Sequence, residues 1–437
     1  MKVTVVGLGK IGLPLAVQFA KMGKVVLGAD INPETVDFVN RGIEPFPEEE
    51  NLQEFLSEVV TSGNLQASTD TTECVAQSNV IVVVVPLFVD NNGNPDFRSM
   101  DAATEKIAKG LKKGTLVAYE TTLPVGTTRN RFAKKLEEIS GLKVGQDFHV
   151  VFSPERVLTG RVFSDLRKYP KIVGGITDLC ASKGKDFYSS VIEFDNRSDL
   201  PRPNGVWVLD STESAEFVKL AETTYRDVNI GLANQFAKFA DELNLNIYDV
   251  IDSSNSQPYS HIHQPGIAVG GHCIPIYPQF YLWGDPQATI VKAARTNNAQ
   301  MPSYVVSKVH NFLKSTEQRK ILILGASYRD KVKELAFSGV FEVKEELVSL
   351  GYQVEVFDPL FTDKELTAHG LQPQRSKPQD FGAVIIQNSS EEFKALFTNP
   401  SKWENLLLVF DGRNLFRGKS PIQGVPLRGI GIQSELQ

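Results

Sequence analysis

Short apolar runs punctuate the first part of the chain. Each ends in a glycine-rich or polar turn and gives way to residues whose apolar positions return every three or four. Residues 2–6 form the first run. They pass into Gly7-Leu8-Gly9-Lys10-Ile11-Gly12 and then into a helical spacing at Leu13, Leu15, Ala16, Phe19 and Ala20. Residues 25–29 read as a second strand. Residues 48–61 read as a helix closed by a turn at Ser62-Gly63-Asn64. Residues 80–85 are β-branched without alternation, the signature of a strand buried on both faces of a parallel sheet. A helix is expected over 101–109 and strands over 116–119 and 149–152. Those two strands run into polar loops, 120–128 and Ser153-Pro154-Glu155-Arg156. A charged stretch, 161–170, precedes a strand at 171–174. Strand and helix in alternation predict a doubly wound α/β domain.

The middle of the chain breaks this rhythm. Residues 196–205 are rich in Asn, Arg, Pro and Gly and read as a domain boundary. Residues 211–243 lack proline, and Phe217, Leu220, Ala221, Tyr225, Val228, Leu232, Phe236 and Phe239 step at the helical period. A stripe that long joins domains or meets a second copy, so a homodimer is expected. Residues 249–263 read as an irregular polar loop and 289–313 as helix. From residue 320 the strand–helix pattern restarts, with strands over 320–324, 354–357, 383–386 and 406–410 and a helix over 341–350, but without a second GxGxxG. The expected fold class is α/β. Two Rossmann-like doubly wound domains, 1–200 and 313–437, are joined by a helical middle domain, 201–312, with a long central helix.

Composition narrows the function classes. A chain of 437 residues suits two or three domains. Hydrophobic residues at 41% and charged residues at 22% fit an ordinary globular protein. A net charge of −6 argues against a nucleic-acid partner, which needs a basic face. Cys74, Cys180 and Cys273 are too few for a disulfide framework, and no CxxC pair suggests zinc, so no metal is expected. No stretch approaches the roughly 18 apolar residues of a membrane span, and no apolar signal core opens the chain. A cytoplasmic location is the expectation.

Two stretches carry chemistry. In the first, Gly7 makes the turn, Gly9 admits a pyrophosphate and Gly12 lets helix and strand pack closely. Asp30 ends the second strand, where a carboxylate binds ribose hydroxyls and repels a 2′-phosphate, so the cofactor is read as NAD rather than NADP. The second is Val269-Gly270-Gly271-His272-Cys273-Ile274-Pro275. A helix N-terminus or a charged His272 would raise the thiolate fraction of Cys273, whereas a buried thiol would be inert. Thr122 reads equally as a turn residue, Glu155 as a surface carboxylate paired to Arg156, and Lys219 as a solvated helical charge. His261 and His263 have no third metal ligand at a useful spacing and read as loop residues bonding substrate or solvent. Arg329, Lys331 and Lys333 follow a strand, where a diphosphate or plain solvent could meet them.

Taken together, Gly7-Leu-Gly-Lys-Ile-Gly-Leu-Pro14, Glu120-Thr-Thr-Leu-Pro-Val-Gly-Thr-Thr128, Ser153-Pro-Glu-Arg156, Lys219-Leu220, Val269–Pro275 and Asp411-Gly-Arg-Asn414 resemble the nucleotide-sugar 6-dehydrogenases, over nearly the whole chain and in family order. The resemblance implies two successive NAD-dependent oxidations at C6 of a UDP-sugar. Cys273 would be the nucleophile, Lys219 the oxyanion partner, Glu155 the carboxylate acting on the hydrolytic water and Thr122 a holder of that water. Cofactor contacts are implied at Gly7, Gly9, Lys10, Ile11, Gly12, Asp30, Pro86 and Thr121. Substrate contacts are implied at Arg156, Arg226, Asn229, His261, His263, Gly266, Gly270, Tyr328, Lys333 and Arg413. His272 and the run Tyr225–Asn229 resemble the N-acetylhexosamine branch, which implies UDP-N-acetylmannosamine or UDP-N-acetylglucosamine as substrate, with UDP-glucose as the alternative. Tyr277, Thr223, Ala336 and Leu87-Phe88 depart from the family pattern, which touches the proton inventory at the thiol, the oxyanion contacts and the sugar contacts. A two-electron hydroxyacid-type dehydrogenase and an inactive nucleotide-sugar binder remain as competing readings.

Overall fold

A computed structural model of the chain describes residues 1–46, 49–90 and 92–432. The first sheet is built from β1 (Lys2–Val6), β2 (Val25–Ala29), β3 (Leu65–Ser68) and β4 (Val80–Val83). After a short hairpin, β5 (Phe88–Val89) and β6 (Pro95–Asp96), it continues with β7 (Leu116–Tyr119), β8 (His149–Phe152), β9 (Lys171–Gly175) and β10 (Val206–Leu209). The sheet order is β10-β9-β8-β7-β4-β1-β2-β3. The order reverses between β1 and β4, so the loops after these strands open a crevice at the carboxyl edge. Every pairing is parallel except β8 with β9, which run antiparallel with Phe152 opposite Gly174 and Val151 opposite Gly175. Val80 to Val83 are sealed on both faces, as their unbroken β-branched run predicts.

The chain forms two compact units, Met1–Glu222 with Gln279–Gly284, and Thr223–Pro278 with Asp285–Gln437. Val206–Leu209 pairs with β9, so the loop at 196–205 lies inside the first unit rather than at its end. Its Pro, Asn and Gly content marks a turn, and composition does not distinguish a turn within a domain from a linker. In the second unit the middle helices share one apolar core with the second sheet. Ala237, Ile247, Ile251, Val305 and Val309 join Ile321, Ile323, Val384 and Val409.

The second sheet comprises β11 (Lys320–Leu324), β12 (Gln353–Phe357), β13 (Ala383–Ile386), β14 (Leu408–Asp411) and β15 (Leu427–Gly429), ordered β12-β11-β13-β14-β15 and wholly parallel. The two sheets repeat one device. Asp30, after β2, takes the Leu8 N–H at 2.7 Å. Asp358, after β12, takes the Ala326 and Ser327 N–H groups at 2.8 and 3.0 Å. In both, a carboxylate beyond the second strand fixes the loop leaving the first.

The helix Thr212–Glu242 follows the periodic stripe. The start expected at residue 48 lies outside the described residues, and the helix there runs Leu52–Thr61. The polar loop expected over 249–263 is partly helix, Ile247–Ser254, begun by the Asn246 side chain accepting from Tyr248 N–H. Residues 289–313 divide into Thr289–Ala299 and Met301–Leu313, because Pro302 has no N–H to continue the first helix and suits the first turn of the second. The charged stretch at 161–170 contains the helix Val162–Lys168.

The long helix buries small and polar residues. Asp227, Gly231, Asn234, Ala237 and Ala240 face inward, while Tyr225, Leu232, Phe236 and Phe239 are 38–58% exposed. Inside the second unit this buried face bonds the next two helices. Asp227 takes the Arg295 guanidinium at 2.6 Å and the Asn298 amide at 2.9 Å, and Asn234 donates to Asn298 at 2.9 Å. Lys238 donates to Asn297 at 2.8 Å, and Asp241 accepts from Tyr304 at 2.6 Å and pairs with Lys308 at 2.6 Å.

Candidate active site

In the first unit, the chain leaves β1 through Gly7 at φ 92°, a backbone region that only glycine enters without cost. The helix begins at Gly12, so close to this turn that a Cβ there would lie 1.9 Å from the Gly7 carbonyl oxygen. Gly9 is different, since among the described residues no atom beyond its chain neighbours lies within 4 Å of its Cβ position. That open side of the loop is where a pyrophosphate fits against the amides of the helix start. Lys10 and Ile11 complete the loop. Asp30 spends Oδ2 on Leu8 and Oδ1 on Asn32 N–H, at 2.9 Å, and stands beyond β2 where a ribose would lie. Across the crevice, Thr121 Oγ1 donates to the Val85 carbonyl at 2.6 Å and ties the loop after β7 to the one carrying Pro86. These residues suit a dinucleotide.

The loops after β7 and β8 meet a cluster that residue spacing did not foretell. Lys171, the first residue of β9, donates to Glu120 at 2.7 Å and to Glu155 at 2.8 Å. Tyr188 donates to the other oxygen of Glu120 at 2.7 Å, and the Lys171 ammonium lies 4.9 Å from the Tyr188 ring centre. Side-chain exposure is 0% for Glu120, 5% for Lys171 and 11% for Glu155, so Glu155 is the least enclosed of the three. Burial, reinforced by the Glu155 charge, pushes the Glu120 carboxyl up to about 7 against the pull of Lys171. Burial also works against the Glu155 carboxylate. The Lys171 charge and the Lys171 and Arg156 N–H donors outweigh it, and the group sits below the usual range. Lys171 stays charged, because its two carboxylates outweigh burial. Arg156, expected beside Glu155, sends its side chain to Glu222 and the Pro170 carbonyl instead. Its backbone N–H donates to Glu155 Oε1 at 2.7 Å. Thr122 is buried in the same loop as Glu120, and Lys219 is half-buried on the long helix.

In the second unit, Cys273 is exposed, whereas Cys74 and Cys180 are buried. Its carbonyl accepts from Tyr277 N–H at 2.9 Å, so the thiol residue heads the turn that enters the helix Tyr277–Gly284. The preceding glycines lie on the loops at the carboxyl edge of the second sheet. Gly271 N–H donates to the Ala336 carbonyl at 2.8 Å. A Cβ on Gly270 would lie 2.4 Å from Tyr328 Cβ, and one on Gly266 would strike the Arg413 guanidinium. Arg413 also donates to the Gln387 carbonyl at 3.2 Å. His272 pairs with Glu334 at 2.7 Å, and Lys333 with Glu365 at 2.6 Å. Gly266, Gly270, Tyr328 and Arg413 therefore converge on the Cys273 segment. Asn229 engages the adjacent loop through both ends of its amide, to the His261 carbonyl at 2.7 Å and from His263 N–H at 2.9 Å. Arg226 is exposed on the same helix. Burial, helped by the Arg226 charge, lowers the His263 imidazole. The partners missed from the sequence, Glu120, Lys171, Tyr188 and Glu334, lie far along the chain from the residues they hold.

The packing at Gly270 gives a direct expectation. Gly270→Ala must displace Tyr328 or the Cys273 segment, at a cost of about 1–3 kcal/mol. Turnover should fall about tenfold or more with NAD affinity unchanged; equal turnover in steady-state kinetics would show that the segment's seat is unimportant.

The sequence matches three models of one family in order: "UDP-glucose/GDP-mannose dehydrogenase family, NAD binding domain" over residues 1–192, its central domain over 213–300 and its UDP binding domain over 322–418. The chain is 33% identical to the UDP-N-acetyl-D-mannosamine dehydrogenase of Pyrococcus horikoshii, with 99% of each chain covered. It is 36% identical to the enzyme of that name from Methanococcus maripaludis, over 82% of this chain and 79% of that one. A solved structure of the P. horikoshii UDP-D-ManNAc dehydrogenase superposes with a TM-score of 0.87 at 31% identity, covering 99% of both chains.

Proposed function

Because this chain belongs to the UDP-glucose/GDP-mannose dehydrogenase family, and is thus an NAD-dependent oxidoreductase of nucleotide sugars, we propose that it oxidises C6 of a UDP-N-acetylhexosamine, first of all UDP-N-acetylmannosamine, from alcohol to acid. The named relatives support this sugar. The single observation that carries the chemistry is the exposed Cys273 on a segment seated upon Tyr328 and Arg413. We divide the chain functionally into an NAD-binding part, 1–200, a central part with the cysteine segment, 201–312, and a UDP-sugar part, 313–437, a division supported by the three family matches.

The loop Gly7–Gly12 and Asp30 would hold NAD, and two NAD molecules bound in turn would each supply the acceptor for one hydride from C6. The chain's own groups supply the rest. An aldehyde does not readily give up hydride until a nucleophile adds to it, and the Cys273 thiolate adds to form a thiohemiacetal. Lys219 offers positive charge to the oxygen that becomes anionic. Oxidation of the adduct leaves a thioester on Cys273. Glu155 takes a proton from the water that cleaves it, with Thr122 holding that water. Arg156, Arg226, Asn229, His261, His263, Gly266, Gly270, Tyr328, Lys333 and Arg413 are the proposed sugar-nucleotide contacts. The test is the NADH formed per limiting sugar with UDP-N-acetylmannosamine, UDP-N-acetylglucosamine and UDP-glucose. Two per sugar, from the first, is expected; one per sugar would turn the assignment to a two-electron enzyme, and two from UDP-glucose alone would change the sugar.

A homodimer and a cytoplasmic location complete the reading. Among the described residues no helix is long and apolar enough to cross a membrane. The dimer is supported by Leu232, Phe236 and Phe239, exposed along one helix, with Leu243 just past its end. Each Phe buried in such an interface contributes about 1.5–3 kcal/mol. Phe236→Lys with Phe239→Lys should weaken self-association by roughly 100-fold or more. Sedimentation equilibrium of a variant with wild-type circular dichroism reads this directly, and an unchanged dimer would place the interface elsewhere.

A further inference from the structure

We propose that Lys171, anchored by Glu120 and Tyr188, is a positioning residue that holds the Glu155 carboxylate ionised and aimed for thioester hydrolysis. This rests on the reading of Glu155 given above. The sheet itself builds the contact. With Phe152 opposite Gly174 and Val151 opposite Gly175, the register of β8 and β9, continued past the last paired residue, brings Glu155 opposite Lys171. Glu120 arrives from the neighbouring loop, where the Glu155 N–H donates to the Glu120 carbonyl at 3.3 Å.

The four titratable groups have unequal access to solvent. Glu120, Lys171 and Tyr188 are sealed, and Glu155 alone retains an open margin. Two carboxylates around one ammonium leave one negative charge in excess, and enclosure of Glu120 favours Glu120 as the proton carrier and Glu155 as the anion. A buried Lys171 would be costly without partners, and Glu120 with Tyr188 fixes it from behind. In the step served, the water oxygen bonds to the thioester carbon while one water proton passes to Glu155. The C–S bond then breaks, Cys273 leaves as thiolate, and the sugar acid carries the second water proton until solvent takes it.

The test compares wild type with the Glu120→Gln/Lys171→Met double variant, which removes the ammonium and replaces the proton-carrying carboxyl by a neutral amide, leaving Glu155 as the one carboxylate of the cluster, and with Tyr188→Phe, which removes one hydroxyl. For the double variant we expect both hydride steps to survive as a rapid burst of two NADH per active site. Steady turnover should fall roughly tenfold or more, a fraction of what a general base supplies. KM for NAD and sugar should stay within about twofold, and an acyl-enzyme should be seen by intact mass after acid quench. The acid limb of kcat should move to higher pH, since Glu155 loses the charge that keeps it ionised. Tyr188→Phe, the milder change, removes a donor that favours ionised Glu120, so Glu120 keeps its proton more firmly and the same limb should move to lower pH. If the double variant fails to fold, the limb in Tyr188→Phe decides. Unchanged limb and turnover in a folded variant, or loss of the burst itself, would overturn the proposal. Wild type yielding no NADH from any of the three sugars would instead remove the functional reading on which it rests.

Discussion

Cys273→Ser is expected to abolish net acid formation while leaving NAD binding at wild-type strength. Cys273 is exposed at the head of a turn, and its segment is fixed by Gly271 N–H on the Ala336 carbonyl and by Tyr328 packed on Gly270. A serine keeps that geometry, so the change is chemical. A hydroxyl is a far poorer source of anionic nucleophile near neutral pH than a thiol, which is partly ionised there. The loss should be on the order of a thousandfold, about 4 kcal/mol in barrier. Acid quantified by chromatography after limiting sugar provides the readout. Acid formed within tenfold of the wild-type rate would mean that the second oxidation proceeds without the thiol, and a hydroxyacid-type mechanism would replace the four-electron one.

Gly12→Val should do comparable damage at the other end of the reaction. The new Cβ would lie 1.9 Å from the Gly7 carbonyl oxygen and 3.0 Å from its carbon, and a backbone carbonyl cannot swing aside as a flexible side chain would. Either the helix lifts from the strand or the turn opens, and both spoil the alignment of amides on the phosphates. NAD affinity should fall by roughly 100-fold or more, about 2.7 kcal/mol. Isothermal titration is the measurement, with Gly9→Ala as the companion. At Gly9 nothing lies within 4 Å, so that variant should keep its melting temperature and still bind NAD weakly, because the methyl occupies space left for the ligand. A Gly12→Val protein that binds NAD normally would refute the close-approach argument.

These contrasts show how far the sequence could be read. Local chemistry was legible wherever one short stretch carries the whole constraint. Gly7 to Gly12 named the turn, the open position and the close contact of helix and strand, whereas nothing in the stretch before Cys273 announced that Tyr328 and Ala336 would pack against its glycines. Partnerships set by strand register were not legible. Arg156 adjoins Glu155 in sequence, yet Lys171 holds the carboxylate, because one antiparallel strand folds the chain back at that point. The short helix Ile247–Ser254 was obscured by its polar surface, although Asn246 ahead of it and Ile247 and Ile251 on its buried side were present as signals. A proline two residues into the helix Met301–Leu313 marked the break in what read as one helix.

The buried face of the long helix also has a mechanical meaning. An apolar seam tolerates sliding, because one Leu can replace another as a neighbour at small cost. Here Asp227, Asn234, Lys238 and Asp241 each meet particular partners among Arg295, Asn297, Asn298, Tyr304 and Lys308. A shift of the helix along its axis by one turn, 5.4 Å, would break all of these bonds together and strand charges away from water. The seam works as a key in a lock, in the manner of a single buried asparagine that fixes the alignment of a coiled coil. The helix is thus barred from piston motion against its neighbours, and any movement it transmits along its length must be a tilt or a bend of the whole rod.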